Sequence, residues 1–173
     1  MKKFVITLLV CFLSAWVFCL YAAAQTQGQE NVAAQDLLIK SEVETAVNML
    51  GAIYAKRQRG EMTMEKAKQL GADLLRELRY GTDGTEGYFW ADTTEGVNVV
   101  LYGRKDVEGR NRIKDKDSRG NYYVKEFMAK AKTGGGYVEY WFPKKGQTIE
   151  QSKRAYVLPF KPFGWVIGSG YYR

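Results

Sequence analysis

The chain has 173 residues, enough for one domain, and a formal net charge of +7. It contains no histidine, and both of its cysteines, Cys11 and Cys19, fall within the first 24 residues. Beyond that leader there is therefore no disulfide, no Ser-His-Asp or Cys-His catalysis and none of the usual zinc sites.

The leader opens on Lys2 and Lys3, continues as an almost wholly apolar run from Phe4 to Tyr21, and ends on Ala22-Ala23-Ala24, an A-x-A site before Gln25. This is the anatomy of a signal peptide. The run is longer than a typical signal core and slightly shorter than a comfortable membrane span, so residues 1–24 are read as a signal peptide or an N-terminal membrane anchor. Both readings put the remainder in the periplasm or otherwise outside the cytoplasm, free or tethered to the inner membrane by residues 4–21. Neither cysteine follows a small residue, which argues against a lipidated one. A basic balance outside the cytoplasm points to anionic lipid headgroups, anionic ligands or nothing specific, and not to nucleic acid.

Gln25 to Glu30 reads as a polar tether, and a long helix is expected from about Asn31 or Ala33 to Gly60. Its apolar stripe is Val43, Val47, Leu50 and Tyr54, widened by Ala46 and Ile53. Thr63 is the expected N-cap of a second helix with Ala67, Leu70, Leu74 and Leu78 inward and Gly81 at its end. Arg79 and Tyr80 close that helix, and Gly81, Asp83, Gly84 and Gly87 make a turn. The hydrophobic period then changes from 3.6 to 2. Strands are expected over 87–91, 97–102, 137–142, 154–160 and 165–170. Asp92 to Gly96 is read as a turn, Gly103 to Gly120 as a long loop, and 122–132 as a short helix with Val124, Phe127 and Met128 inward. This order makes an α+β domain, an antiparallel sheet of about five strands with one face on the long helices. The other face, closed by the loop and the inserted helix, would form a pocket.

Arg79 beside an aromatic strand, with Tyr88 and Trp90 on one face and Phe89 on the other, suits a small anion; the bland alternative is an aromatic core and a solvated arginine. Tyr88, Trp90, Tyr140, Lys153 and Tyr156 lie on strands that could line one pocket face. Alternation groups Arg154 with Tyr156 and leaves Lys153 on the opposite parity unless the strand is bulged or begins after it. Asp115, Asp117, Gly120 and Glu126 approach a calcium-loop spacing, but Arg119 stands where a ligand oxygen belongs, so no metal is expected. No cofactor signature is present, Gly168-Ser-Gly170 lacks the lysine and helix of a phosphate loop, and no nucleophile is placed beside a base, so no enzyme is expected.

Taken together, Arg79-Tyr-Gly, Gly87-Tyr-Phe-Trp90, Gly109-Arg-Asn111, Lys116-Asp117-Ser-Arg-Gly120, Gly134-Gly-Gly-Tyr-Val-Glu-Tyr140, Lys153-Arg-Ala-Tyr156 and Phe163-Gly-Trp-Val-Ile-Gly-Ser-Gly170 resemble the single Cache domain, type 2. These are extracytoplasmic sensor domains of bacterial chemoreceptors and sensor kinases, and the resemblance covers about 31–173. It implies a PAS-like sheet that binds small molecules, often short carboxylates, with Arg79, Tyr88, Trp90, Tyr140, Lys153 and Tyr156 in the pocket. Leu101-Tyr102 stands where many members carry His-Pro, which removes a polar ligand contact. The chain ends at Arg173 without a membrane helix or output domain, so signalling is expected to pass through a membrane-bound receptor or kinase. The alternative is an interaction protein that uses its long helix for homodimerisation or receptor docking.

Overall fold

The computed structural model describes residues 25–84 and 87–173 in full apart from the Asp83 side chain, and residues 2–24 as backbone. The apolar leader lies outside the described side chains. Among the described residues no helix is long and apolar enough to cross a membrane.

The chain divides into two compact units, Met1–Leu37 and Leu38–Arg173. The first is the leading part of helix α1 (Lys2–Gln58). The helix expected to begin near Asn31 runs unbroken through residues 25–30, where a tether was expected. Gln25, Gln27, Gln29 and Glu30 favour helix, no proline interrupts them, and one glycine, Gly28, costs only about 1 kcal/mol.

In the second unit α1 buries Ile39, Val43, Ala46, Leu50 and Ile53, while Val47 and Tyr54 are only partly buried. Its end is sealed by two crossed hydrogen bonds, Gly60 N–H to Arg57 O at 3.0 Å and Glu61 N–H to Lys56 O at 3.0 Å, with Gly60 left-handed at φ 77°. Helix α2 (Met64–Glu77) starts on Thr63, whose hydroxyl accepts from Lys66 N–H at 3.2 Å.

The buried face of α2 is Ala67, Gly71, Ala72 and Leu75; Leu70 and Leu74 are exposed, one position off the expected stripe. Gly71 explains the shift. A Cβ there would lie 2.8 Å from Leu50 Cδ2 and 3.2 Å from Phe163 Cε2, so the helix approaches α1 along its glycine. The helix also ends earlier than expected. Leu78 is already extended, and Arg79–Tyr80 form strand β1, paired with β2 (Gly87–Tyr88). Gly81, at φ 85°, turns this hairpin and does not cap the helix.

The main sheet holds β3 (Trp90–Thr93), β4 (Asn98–Leu101), β5 (Gly136–Pro143), β6 (Glu150–Phe160) and β7 (Trp165–Tyr172), in the order β4-β3-β7-β6-β5, antiparallel throughout. Asp92, expected in a turn, is a fully buried residue of β3. Helix α3 (Tyr123–Lys132) buries Val124, Phe127 and Met128 as expected, together with Tyr123.

Each face of the sheet has its own core. Phe89, Ala91, Tyr156, Trp165 and Ile167 pack with α1 and α2. Trp90, Leu101, Val138, Tyr140, Ala155 and Val157 pack with α3. Gly168 matters on this second face, because any Cβ there would overlap the indole of Trp90.

Candidate functional site

The candidate site is a cluster on the α3 face centred on Lys153. The β6 ladder runs in continuous register beside both neighbours, pairing Lys153 with Tyr140 of β5 and with Tyr172 of β7. With no bulge, strict alternation sends Lys153, Ala155 and Val157 to the α3 face and Tyr156 to the other. The parity conflict seen in the sequence is thus real, and Lys153 is the residue that joins Tyr88 and Trp90. Tyr156 packs edge-on against Tyr137 at 4.9 Å in the core beside α1 and α2.

Lys153 is 1% exposed. Its Nζ donates to the Tyr88 hydroxyl at 2.6 Å and lies 4.2 Å from the Tyr88 ring centroid, 4.9 Å from Trp90, 4.9 Å from Tyr172 and 5.7 Å from Phe142. Among the described residues, its polar partner is that phenol alone. Removal from water, with repulsion from Arg112 as a smaller cause, lowers the Lys153 ammonium to about 7. Burial holds the Tyr88 and Tyr140 phenols well above their usual range, so both stay neutral. Tyr140 is also stacked on Tyr123, centroids 5.0 Å apart and planes at 13°, which fixes the wall between β5 and α3. The indole Nε1 of Trp90 is buried and has no hydrogen-bond partner among the described residues.

Hydroxyls continue outward from Nζ. The Tyr88 hydroxyl lies 3.4 Å from that of Tyr172, and the Tyr172 hydroxyl donates to Pro143 O at 2.9 Å. Behind Tyr88, Ser169 donates to the Tyr88 carbonyl at 2.7 Å and meets the Tyr80 hydroxyl at 2.6 Å.

Arg79 sits away from Nζ, at the edge of this cluster. Its guanidinium lies 3.5 Å from the centroid of the Tyr102 ring, and Nη1 donates to Leu78 O at 2.6 Å. Lys145 covers the same ring at 4.0 Å and donates to its hydroxyl at 2.8 Å. Tyr102 in turn packs against Tyr88, centroids 5.4 Å apart. Arg79 therefore belongs to a cationic rim one aromatic layer away from Lys153. Of the two residues at the His-Pro position, Leu101 is buried in the α3-side core and Tyr102 forms this rim.

Sequence reasoning missed a second buried charge cluster. Arg112 Nη2 donates to Asp92 Oδ2 at 3.1 Å, and the two side chains are 3% and 1% exposed. Asn98 Nδ2 donates to the other carboxylate oxygen at 2.9 Å, while Arg112 Nε and Asn98 Oδ1 have no hydrogen-bond partner among the described residues. Burial pushes the Asp92 carboxyl up, against the pull of Arg112 and Asn98. Asp92 precedes turn-forming residues and Arg112 sits in a charged loop, so neither carried a local signal. The near-calcium loop has another use: Asp117 accepts from Arg119 N–H, Asn121 N–H, Asn121 Nδ2 and Trp141 N–H at 2.9–3.1 Å. Its oxygens tie the loop to β5. Burial raises its pKa, but the hydrogen bonds led by Asn121 outweigh this and the carboxyl lies below its usual value.

Among the described residues the buried charged groups are Lys153, Arg112, Asp92 and Asp117; Asp92 is taken by Arg112 and Asn98, Asp117 by Asn121 and backbone amides, and neither carboxylate pairs with Lys153. A buried ammonium held by a neutral phenol among aromatic walls can accept a small anion, whose negative group would supply the missing counter-charge.

A family model described as Single Cache domain 2 matches residues 33–173. The methyl-accepting chemotaxis protein McpP of Pseudomonas putida is 32% identical over 134 residues, which are 75% of this chain and 24% of that protein. The chain therefore spans about a quarter of that receptor's length. A solved periplasmic sensor domain of a chemotaxis protein superposes with a TM-score of 0.77 at 32% identity, over 82% of this chain and 96% of that one. A structure described as the basis for carboxylic acid recognition by a Cache chemosensory domain does so with a TM-score of 0.77 at 30% identity, over 83% and 97%.

Proposed function

This chain belongs to the Single Cache domain 2 family, and from that membership we propose that it is an extracytoplasmic sensor module that captures a short carboxylate at Lys153. The observation that carries the proposal is the Lys153 ammonium: fully buried, ringed by aromatic groups and hydrogen-bonded to a neutral phenol. Lys153 would meet the carboxylate. Tyr88 and Trp90 would line its flank, with the unpartnered indole N–H as a second donor, and Tyr140 would close the back. Arg79 would act from the rim, drawing the anion inward without touching it. Tyr156, on the other face, is left out of the site. The carboxylic acid recognition described for the similar Cache structure supports this ligand class.

Signalling through a membrane-bound receptor or kinase belongs to the same proposal, as does export by the apolar leader. Self-association through α1 draws on Val32, Leu37 and Leu38, which are exposed along that helix.

The test is a thermal-shift screen with acetate, propionate and butyrate, with amino acids and amines alongside, followed by calorimetric titration of each hit. A ligand at 100 times its dissociation constant adds about 2.7 kcal/mol of stability. Lys153→Met should weaken binding by about 1.5–3 kcal/mol, the range for a hydrogen bond to a charged group, and Arg79→Ala by less. Equal affinity in wild type and Lys153→Met would remove Lys153 from the site.

A further inference from the structure

The hydrogen bonding around Lys153 fits two protonation states equally well. As an ammonium, Nζ donates to the Tyr88 oxygen, which frees the Tyr88 proton to point at Tyr172, whose own proton goes to Pro143 O. As a neutral amine, Nζ keeps a lone pair, and the Tyr88 hydroxyl can turn and donate to it across the same 2.6 Å. In both states the Tyr88 oxygen keeps a hydrogen bond to Nζ, and the remaining N–H groups face the rings of Tyr88, Trp90, Tyr172 and Phe142. Tyr172 is half-buried, so the row of hydroxyls leads from a side chain that is 1% exposed towards solvent.

We propose that the site takes up a proton together with its anion, Lys153 being the group that gains it, so that occupancy depends on pH as well as on ligand. This rests on the carboxylate reading above. The balance is simple. A neutral Lys153 amine, one proton from solvent and a carboxylate anion become an ammonium–carboxylate pair; no bond to carbon forms or breaks. The anion brings no proton of its own at neutral pH, so bulk buffer must supply it, and the Tyr172–Tyr88 hydroxyls offer a route.

The surroundings of Nζ favour this. Without an anion, the ammonium has lost its water and, to a smaller extent, is repelled by the Arg112 cation, and its value of about 7 reflects both. Asp92 does not relieve it, because that carboxylate is taken by Arg112 and Asn98. From β2, β5 and β7 the facing groups are Tyr88, Tyr140 and Tyr172, and from α3 Tyr123; burial raises all four, so they stay neutral across the relevant range. At the rim, Lys145 and Arg79 stabilise the Tyr102 phenolate and lower that phenol, but the Tyr88 ring lies between it and Nζ. An incoming carboxylate reverses the balance at Lys153 alone and lifts its pKa, which by linkage is proton uptake.

The experiment is calorimetric titration of the full chain with acetate, propionate and butyrate at pH 6, 7.5 and 8.5. Each titration is repeated in buffers of low and high ionisation enthalpy. The expected result is little buffer dependence at pH 6, uptake approaching one proton at pH 8.5, and affinity falling towards tenfold per pH unit above about 7. Lys153→Arg, whose guanidinium does not titrate here, should bind with a pH-independent affinity if it folds; the wild-type proton count decides the matter if it does not. Binding with a buffer-independent enthalpy and flat affinity from pH 6 to 8.5 would overturn the proton coupling and leave the carboxylate site standing. No binding by any of the three acids at any pH would overturn both.

Discussion

Lys153 is costly to the folded chain. Its ammonium titrates at about 7, against an ordinary 10.5. Below pH 7 both folded and unfolded chains carry the charge, and the folded one bears the full expense of burying it. Between pH 7 and 10.5 the unfolded lysine holds a proton that the folded lysine has released, so stability rises with pH across that window. Lys153→Met removes the charge and keeps a flexible apolar chain among the same rings. It should stabilise the protein by on the order of 4 kcal/mol at pH 6 and by much less at pH 9.5. Thermal or urea unfolding at the two pH values checks this, and an equal gain at both would mean that the lysine is not buried as a charge. A residue that lowers stability at the centre of a site is most readily explained by what it binds. The family motif named Lys153 in the sequence although alternation set it against Tyr156; the unbroken register of β6 turns it inward and Tyr156 to the other face.

At the scale of the element, the helices and strands were legible almost throughout because their periods are clean. The errors came where two elements meet. The stripe Leu70, Leu74 and Leu78 is the obvious apolar face of α2, yet the packed face is Ala67, Gly71 and Leu75, since small residues allow closer approach to α1. Hydrophobicity ranks leucine above glycine; contact distance reverses the order. Leu75→Ala should cost about 2–5 kcal/mol, and Leu74→Ala, at an exposed position, within about 0.5 kcal/mol. Chemical denaturation of the two variants separates the assignments, and comparable losses would restore the leucine stripe. Likewise, Arg79 and Tyr80 look helical from the preceding pattern, but pairing with Gly87–Tyr88 captures them as a strand. That hairpin places Tyr88 over Lys153.

Across the whole molecule, the site gathers side chains from β2, β3, β5, β6 and β7, between Tyr88 and Tyr172 in the chain. Local patterning could name the aromatic members, and the family motifs named Lys153, but the Asp92–Arg112 pair depended on contacts no local pattern encodes. The same dispersal means that no short fragment retains the site. The exposed Val32, Leu37 and Leu38 of α1 set a separate expectation: light scattering should find a mass that rises with concentration, and Leu37→Glu should hold the chain monomeric. A constant monomer mass in the wild type would remove self-association through this helix.

The place of Trp90 has one more consequence. Its indole is buried, carries an N–H with no partner among the described residues, rests on a glycine that no larger residue can replace without displacing it, and lies 4.9 Å from an ammonium poised near neutrality. Indole emission responds to nearby charge, because excitation moves electron density across the ring. If Lys153 gains a proton on binding, the emission of Trp90 should shift with it, read as the difference between the wild type and Trp90→Phe because Trp16, Trp141 and Trp165 also emit.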